Sequence, residues 1–227
     1  MSSDWTLEGE LQKLTGTNSA TAALLNLGLL ESRDELFQLI SPPRGWYRSG
    51  AETYLYPFRV SKDGSDVSLV LKACVAFSPG TPLQSILESW IDRRNVLASR
   101  GVVTPKLYAW GHGAILEEYV PHTLREALGR TPSNLERLLV SMADLAGVVA
   151  NLRFQPVDLF EDLRSHGDDV VLIDCGQDLG PPFVSPEGAQ GIFDQFVRYI
   201  GTLGMGVQLT LLPRLRRIFE AQSHTHH

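Results

Sequence analysis

The run Val170-Val171-Leu172-Ile173-Asp174-Cys175-Gly176 sets a carboxylate at the end of a short apolar segment, directly before a residue that can turn the backbone. Four apolar positions in a row read as a buried strand. A chain that buries such a strand delivers Asp174 to its rim, where a ligand can reach it. The same pattern also ends ordinary strands in turns, so its meaning depends on what precedes it. Asp178, four residues on, reads as the cap of the next turn.

With 227 residues and 43% hydrophobic content the chain can bury a substantial core, as one large domain or as two lobes. There is no apolar run of about 18 residues, the length a membrane helix needs. Met1 to Thr6 has neither the basic start nor the apolar centre of a signal peptide, and the expectation is a soluble cytoplasmic protein with no membrane partner. A formal charge of −6 argues against a general nucleic-acid binder, which needs clustered Lys and Arg to neutralise phosphates. Cys74 and Cys175 both lie in apolar, strand-like surroundings, which suits buried free thiols better than a disulfide or a metal pair. His224, His226 and His227 read as a frayed tail.

The chain up to residue 41 reads as helical. Leu7, Leu11 and Leu14 fall at helical spacing, Asn18-Ser19 opens a second apolar stretch, and Leu36, Phe37, Leu39 and Ile40 make a third. Pro42-Pro43-Arg44-Gly45 ends that pattern. From there the period shortens: Tyr54, Tyr56, Phe58 and Val60 alternate, Lys62-Asp63-Gly64-Ser65 turns, and Val67 to Val75 returns as the second strand of a hairpin. Ahead of it, Ser49 and Gly50 sit in a small polar loop whose amides could approach a phosphate, although most such loops are plain turns.

Lys72 is the single charge inside Ser68-Leu69-Val70-Leu71-Lys72-Ala73-Cys74-Val75. Its ammonium has to reach solvent or a partner, because burying it alone is costly. It reads either as a snorkelling lysine or as an anion-binding one. Glu88 lies beside the apolar stripe of the next helix, formed by Leu83, Ile86, Leu87, Trp90, Ile91 and Leu97. A strand lysine with that glutamate could position phosphates or form a structural ion pair. Two further strands flank Gly111-His112-Gly113, the second running into Leu116-Glu117-Glu118-Tyr119-Val120-Pro121. Helices follow: Thr123 to Leu128, a longer one capped by Ser133 with Leu135, Leu138, Leu139, Met142, Leu145 and Val149, one with Ile192 to Ile200, and one from Leu211 to Phe219.

This order resembles the protein-kinase-like fold, and within it the aminoglycoside phosphotransferase and small-molecule kinase branch. The resemblance rests on the Gly50 loop, strand Lys72, helix Glu88, the hairpin into Glu117–Tyr119 and the Ile173-Asp174-Cys175-Gly176 end, and it covers roughly residues 46 to 205. It implies an α+β, two-lobed protein: residues 1–118 as helices plus an antiparallel-sheet lobe, and residues 119–227 as a reduced helical lobe. It also implies roles. The Ser49-Gly50 loop and Lys72 hold nucleotide phosphates, Glu88 pairs with Lys72, the backbone of Glu117 to Tyr119 bonds adenine, and Asp174 binds Mg²⁺. The nucleotide is ATP, and the acceptor a small molecule or a protein.

The catalytic loop departs from the family pattern. That pattern has His-Gly-Asp or His-Arg-Asp and an Asn five residues later, while this chain has Arg153-Phe154-Gln155-Pro156-Val157-Asp158-Leu159-Phe160-Glu161-Asp162. The nearest fit takes Asp158 as the base and Asp162 as the second metal ligand, with Glu161 a further candidate. Capping or solvated roles are the alternative for Asp158 and Asp162. His166-Gly167-Asp168 spells the catalytic tripeptide but stands too close to Asp174, and reads as a hairpin turn. The first expectation is therefore an ATP- and Mg²⁺-dependent phosphotransferase. The alternative is a kinase-like binding or regulatory module that has lost its chemistry, with a protein partner as its target. Nucleotidyl transfer is a third. No P-loop, zinc-helix or nucleophile-elbow motif competes.

Overall fold

The computed structural model describes residues 6–31, 37–39, 53–62, 65–74, 82–130, 135–167, 169–176, 179–180, 186–202 and 211–224. The chain divides into two compact units, Met1–Ser89 with Pro105–Tyr119, and Trp90–Thr104 with Val120–His227.

In the first unit two helices lead. Helix α1 (Leu7–Thr15) starts at Thr6, whose hydroxyl accepts the Gly9 N–H, and ends at Gly16 in the left-handed conformation. Helix α2 (Ala20–Asn26) is capped by Ser19, whose side chain accepts the Ala22 N–H. Residues Phe37–Leu39, expected as helix, form strand β1 instead and pair antiparallel with strand β2 (Thr53–Lys62), Phe37 opposite Val60. Over so short an apolar run periods of 3.6 and 2 cannot be told apart, and an open strand edge supplies the missing backbone partners. Leu36 and Ile40 of the same expected helix lie outside the described residues.

Strand β3 (Ser65–Cys74) pairs with β2 along its whole length, and strands β4 (Leu107–Gly111) and β5 (Ala114–Glu118) complete a five-stranded antiparallel sheet in the order β1-β2-β3-β5-β4. His112 turns the second hairpin at φ 48°. Alternation sorts the strands into two faces. Phe58, Val60, Leu69, Leu71, Ala114 and Leu116 bury against Leu7, Leu11, Leu14, Ala23 and Leu24 of the two leading helices. The other face carries Val70, Lys72, Ile115 and Glu117.

The second unit is helical around a small sheet. Helix α3 (Leu83–Ser99) carries Leu97 into its core, together with Val102. Helix α4 (Leu124–Arg130) opens with a reciprocal cap: Thr123 Oγ1 accepts the Glu126 N–H and the Glu126 carboxylate accepts the Thr123 N–H. Helix α5 (Leu135–Asn151) buries ten of its residues, from Leu138 to Ala150, and crosses helices α6 (Pro186–Thr202) and α7 (Leu212–Ser223). Ser133, expected to cap α5, lies outside the described residues. Strands β6 (His122–Thr123), β7 (Leu163–His166) and β8 (Asp169–Leu172) form a three-stranded antiparallel sheet. His166 pairs with Asp169 across the β7–β8 connection, with Gly167 at φ 61°, so His166 and Gly167 belong to a hairpin connection, while Asp168 of the tripeptide lies outside the described residues.

Among the described residues no helix is long and apolar enough to cross a membrane. Cys74 is buried and Cys175 partly so.

Candidate functional site

In the first unit the sheet register decides what meets Lys72. Ile115 stands directly opposite it on β5, and Glu117 is opposite Val70, one diagonal step away on the same face. Diagonal neighbours lie within reach of long side chains. Lys72 Nζ sits 2.8 Å from Glu117 Oε1, with the two side chains 13% and 4% exposed. The expected partner is elsewhere: Glu88 is exposed on α3 and accepts a bond from Gln84 Nε2 at 3.2 Å. The carboxylate placed against Lys72 is thus that of Glu117, where the sequence pointed to Glu88. The reason is alternation, which turns Glu117 to the Lys72 face and its neighbour Glu118 to the opposite one. The Glu118 carboxylate accepts the Lys106 N–H and, after burial itself, helps push the Tyr108 hydroxyl above its ordinary range.

The expected adenine-binding backbone has internal partners. The Glu118 N–H donates to the Lys106 carbonyl at 2.8 Å and the Tyr119 N–H to the Ser68 carbonyl at 3.0 Å. An adenine on this strand would have to use other backbone groups. Ser49 and Gly50 lie outside the described residues.

In the second unit the β7–β8 hairpin organises the acidic residues. Leu163 pairs with Leu172, and one step further the Ile173 N–H donates to the Asp162 carbonyl at 3.0 Å. This brings the backbones of Asp162 and Asp174 to the same end of the hairpin. Asp174 is partly buried, and its Oδ1 accepts the Gly176 N–H at 2.7 Å, which folds Asp174-Cys175-Gly176 into a tight turn. The guanidinium of Arg93, reaching from α3, donates to the Gly176 carbonyl. Sequence reasoning passed over Arg93; its only signal was a cation close to an apolar helical stripe.

The loop from Arg153 to Asp162 is anchored rather than free. Arg153 closes α5 in the left-handed conformation at φ 60°, with the Phe154 N–H returning to the Val149 carbonyl and its own N–H to that of Ala150. Phe154, Leu159 and Phe160 are buried in the unit's core, Phe160 against the rings of Phe196 and Tyr199 at 5.5 and 5.7 Å. Gln195 Nε2 holds the Pro156 carbonyl at 2.9 Å. The Gln155 N–H donates to the Leu179 carbonyl at 2.8 Å, and Gly180, at φ 62°, packs so close that a Cβ would stand 2.6 Å from the Gln155 oxygen. The segment following Asp174 therefore lies directly against the loop that carries Asp158. Asp158 itself is exposed, and its carbonyl accepts the Glu161 N–H in a turn. With Asp162 immediately ahead of β7, the residue five positions before it is Val157, 64% exposed.

Among the described residues no group of three or more His, Cys, Asp and Glu is arranged to hold a metal by itself. The donor set of Asp162 and Asp174 suits Mg²⁺, a hard cation that takes one or two carboxylates and completes its shell with water and phosphate oxygens. It does not suit a zinc or thiolate site.

The fold is mixed α/β, an antiparallel sheet with helices. No family profile matches the chain, and no curated protein does. Among solved structures the chain is similar to a Neurospora crassa PAN3 pseudokinase mutant, with 14% identity, a TM-score of 0.46, and coverage of 85% of this chain and 58% of that one. The chain thus spans less than two thirds of that protein's length.

Proposed function

We propose that this chain is a kinase-like, ATP- and Mg²⁺-dependent phosphotransferase acting on a hydroxyl of a small molecule or a protein, with a sheet lobe followed by a reduced helical lobe. The observation that carries the reading is the β7–β8 register, which holds Asp162 and Asp174 at one end of a hairpin beside the loop of Asp158. In this reading Asp174 and Asp162 supply oxygen ligands to the Mg²⁺ of the nucleotide, and Lys72 engages phosphate oxygens, its charge held in place by Glu117. Bound Mg²⁺ would neutralise developing charge on the phosphates. Asp158 accepts the proton of the attacking hydroxyl. The Ser49-Gly50 loop contributes to phosphate binding as the kinase resemblance implies, while adenine would bond backbone groups of residues 117–119 other than the Glu118 and Tyr119 amides.

A second reading, a kinase-like module without turnover that works through a protein partner, is favoured by Val157, an apolar side chain five residues before Asp162 where a base would stand. The donation of the Glu118 and Tyr119 amides to carbonyls of the chain itself points the same way.

One experiment separates these. Thermal unfolding is followed with ATP, ADP and GTP, with and without Mg²⁺, on the wild type and on Asp174→Asn, because a ligand that binds only the native state raises its apparent stability. A Mg²⁺-dependent rise lost in Asp174→Asn is the expected result, and phosphate release or transfer lost in Asp158→Asn then assigns the chemistry. A rise without turnover supports the module. No rise with any nucleotide overturns the phosphotransferase reading.

A further inference from the structure

Gly176 is bonded from both sides within the second unit. Its N–H donates to Asp174 Oδ1 at 2.7 Å, and its carbonyl accepts from the guanidinium of Arg93 on α3. The two bonds differ in origin. The first is local, spanning two residues of one turn, and any Asp-x-Gly sequence can form it. The second spans 83 residues and needs a tertiary contact. It is also charge-assisted, the stronger class of protein hydrogen bond. Arg93 is partly buried, so its guanidinium gives up hydration to make this contact, and a backbone carbonyl alone returns only part of that cost. A medium-length apolar side chain at this helix position would pack with no such cost. The arrangement makes sense if the carbonyl's position matters.

That position is tied to Asp174. The peptide between Cys175 and Gly176 and the Gly176 carbonyl flank the turn that the bond to Asp174 Oδ1 closes. Fixing Gly176 therefore fixes one carboxylate oxygen and leaves the other set in direction. On the other side of the hairpin the Ile173 N–H holds the Asp162 carbonyl. Asp174 is thus oriented through Gly176 and, by way of Ile173, aligned with Asp162.

We infer that Arg93 is a positioning residue for Asp174: it presets the carboxylate for a divalent cation by clamping the Gly176 carbonyl. This rests on the reading of Asp174 as a Mg²⁺ ligand, and the guanidinium acts through the Gly176 carbonyl. Outer-shell partners of this kind typically change metal affinity by roughly ten- to a hundredfold when removed.

The test has two readouts. Amide hydrogen exchange of the 170–176 segment is compared without ligand in the wild type, Arg93→Met and Arg93→Lys, since local opening sets the exchange rate. The Mg²⁺ concentration giving half of the ATP-dependent thermal rise is then measured on the same proteins. The expected result is faster exchange at Gly176 in Arg93→Met, a roughly tenfold or larger increase in the Mg²⁺ requirement, and partial rescue of both by Arg93→Lys. Unchanged Gly176 exchange in Arg93→Met overturns the clamp itself. Altered exchange with an unchanged Mg²⁺ requirement overturns its link to the metal, while Asp174→Asn still abolishing the rise leaves the phosphotransferase reading intact. If the wild type shows no Mg²⁺-dependent rise at all, that reading fails, and the assignment of Arg93 to a cation site fails with it. Should Arg93→Met not fold, Arg93→Gln, which keeps a donor of shorter reach, takes its place in both measurements.

Discussion

At the scale of single residues, Lys72 and Glu117 form an ion pair in the first unit with both side chains largely buried. Breaking a buried pair by deleting one partner leaves a charge without compensation and typically costs roughly 3–5 kcal/mol. Lys72 keeps slight solvent access, 13%, so Glu117→Ala should fall at or below that range, whereas the double variant Lys72→Met with Glu117→Leu should recover most of the loss. Urea unfolding of the single and double variants measures both. Tyr199 gives a pH-dependent counterpart. Burial first, and then the charge of Glu161, push its hydroxyl above 10.0, opposed by Arg125 and Arg164. The unfolded chain therefore loses this proton before the folded one does. The stabilisation is fully present below pH ~10 and is lost as pH rises through the higher folded value. Thermal unfolding from pH 8 to 11 should show a steeper alkaline decline in the wild type than in Tyr199→Phe.

At the scale of elements, most of what the chain builds could be read locally. The alternation of Tyr54 to Val60 became β2, the Leu7-Leu11-Leu14 spacing became α1, and Ser19 caps α2, because each pattern is completed within a few residues by the element's own geometry. The failure at Phe37–Leu39 has the same origin. Three residues are too few to show a period, and β2 supplied the pairing that settled them. Helix packing was not legible at all. Gly147 looks like a weak point inside an apolar helix, yet α7 packs directly on it: a Cβ there would stand 2.6 Å from the Phe219 carbonyl oxygen and 2.6 Å from Gln222 Cβ. Bonds from Asn151 Nδ2 to the Gln222 carbonyl and from Gln222 Nε2 to Asp144 lock the same crossing. Because one obstacle is backbone, the helices must separate to admit a methyl group. Gly147→Ala should cost about 1–3 kcal/mol despite the better helix propensity of alanine, which circular-dichroism melts would detect.

At the scale of the molecule, each unit has its own core. The first depends on α1 and α2 covering one sheet face, with Leu11 and Leu24 fully buried against it. Leu11→Ala should destabilise the protein by roughly 2–5 kcal/mol in chemical denaturation, a cost expected of a core position and not of an appended helix. An unchanged midpoint would show that the helices are dispensable to the sheet. The amino-acid sequence by itself determined most of the helices and strands, Phe37–Leu39 excepted, that Lys72 would be the one charge between Ser68 and Cys74, and that Asp174 would stand just past a strand end before a turn. Those properties are set by residues within a turn or a pleat of one another. Only the tertiary structure decided that Glu117 and not Glu88 meets Lys72, that the backbone of Asp162 is carried beside Asp174, and that Arg93 reaches Gly176 across 83 residues. Each of those depends on strand register or on a contact between distant segments. A one-residue shift in register would exchange every partner without altering the local pattern at all.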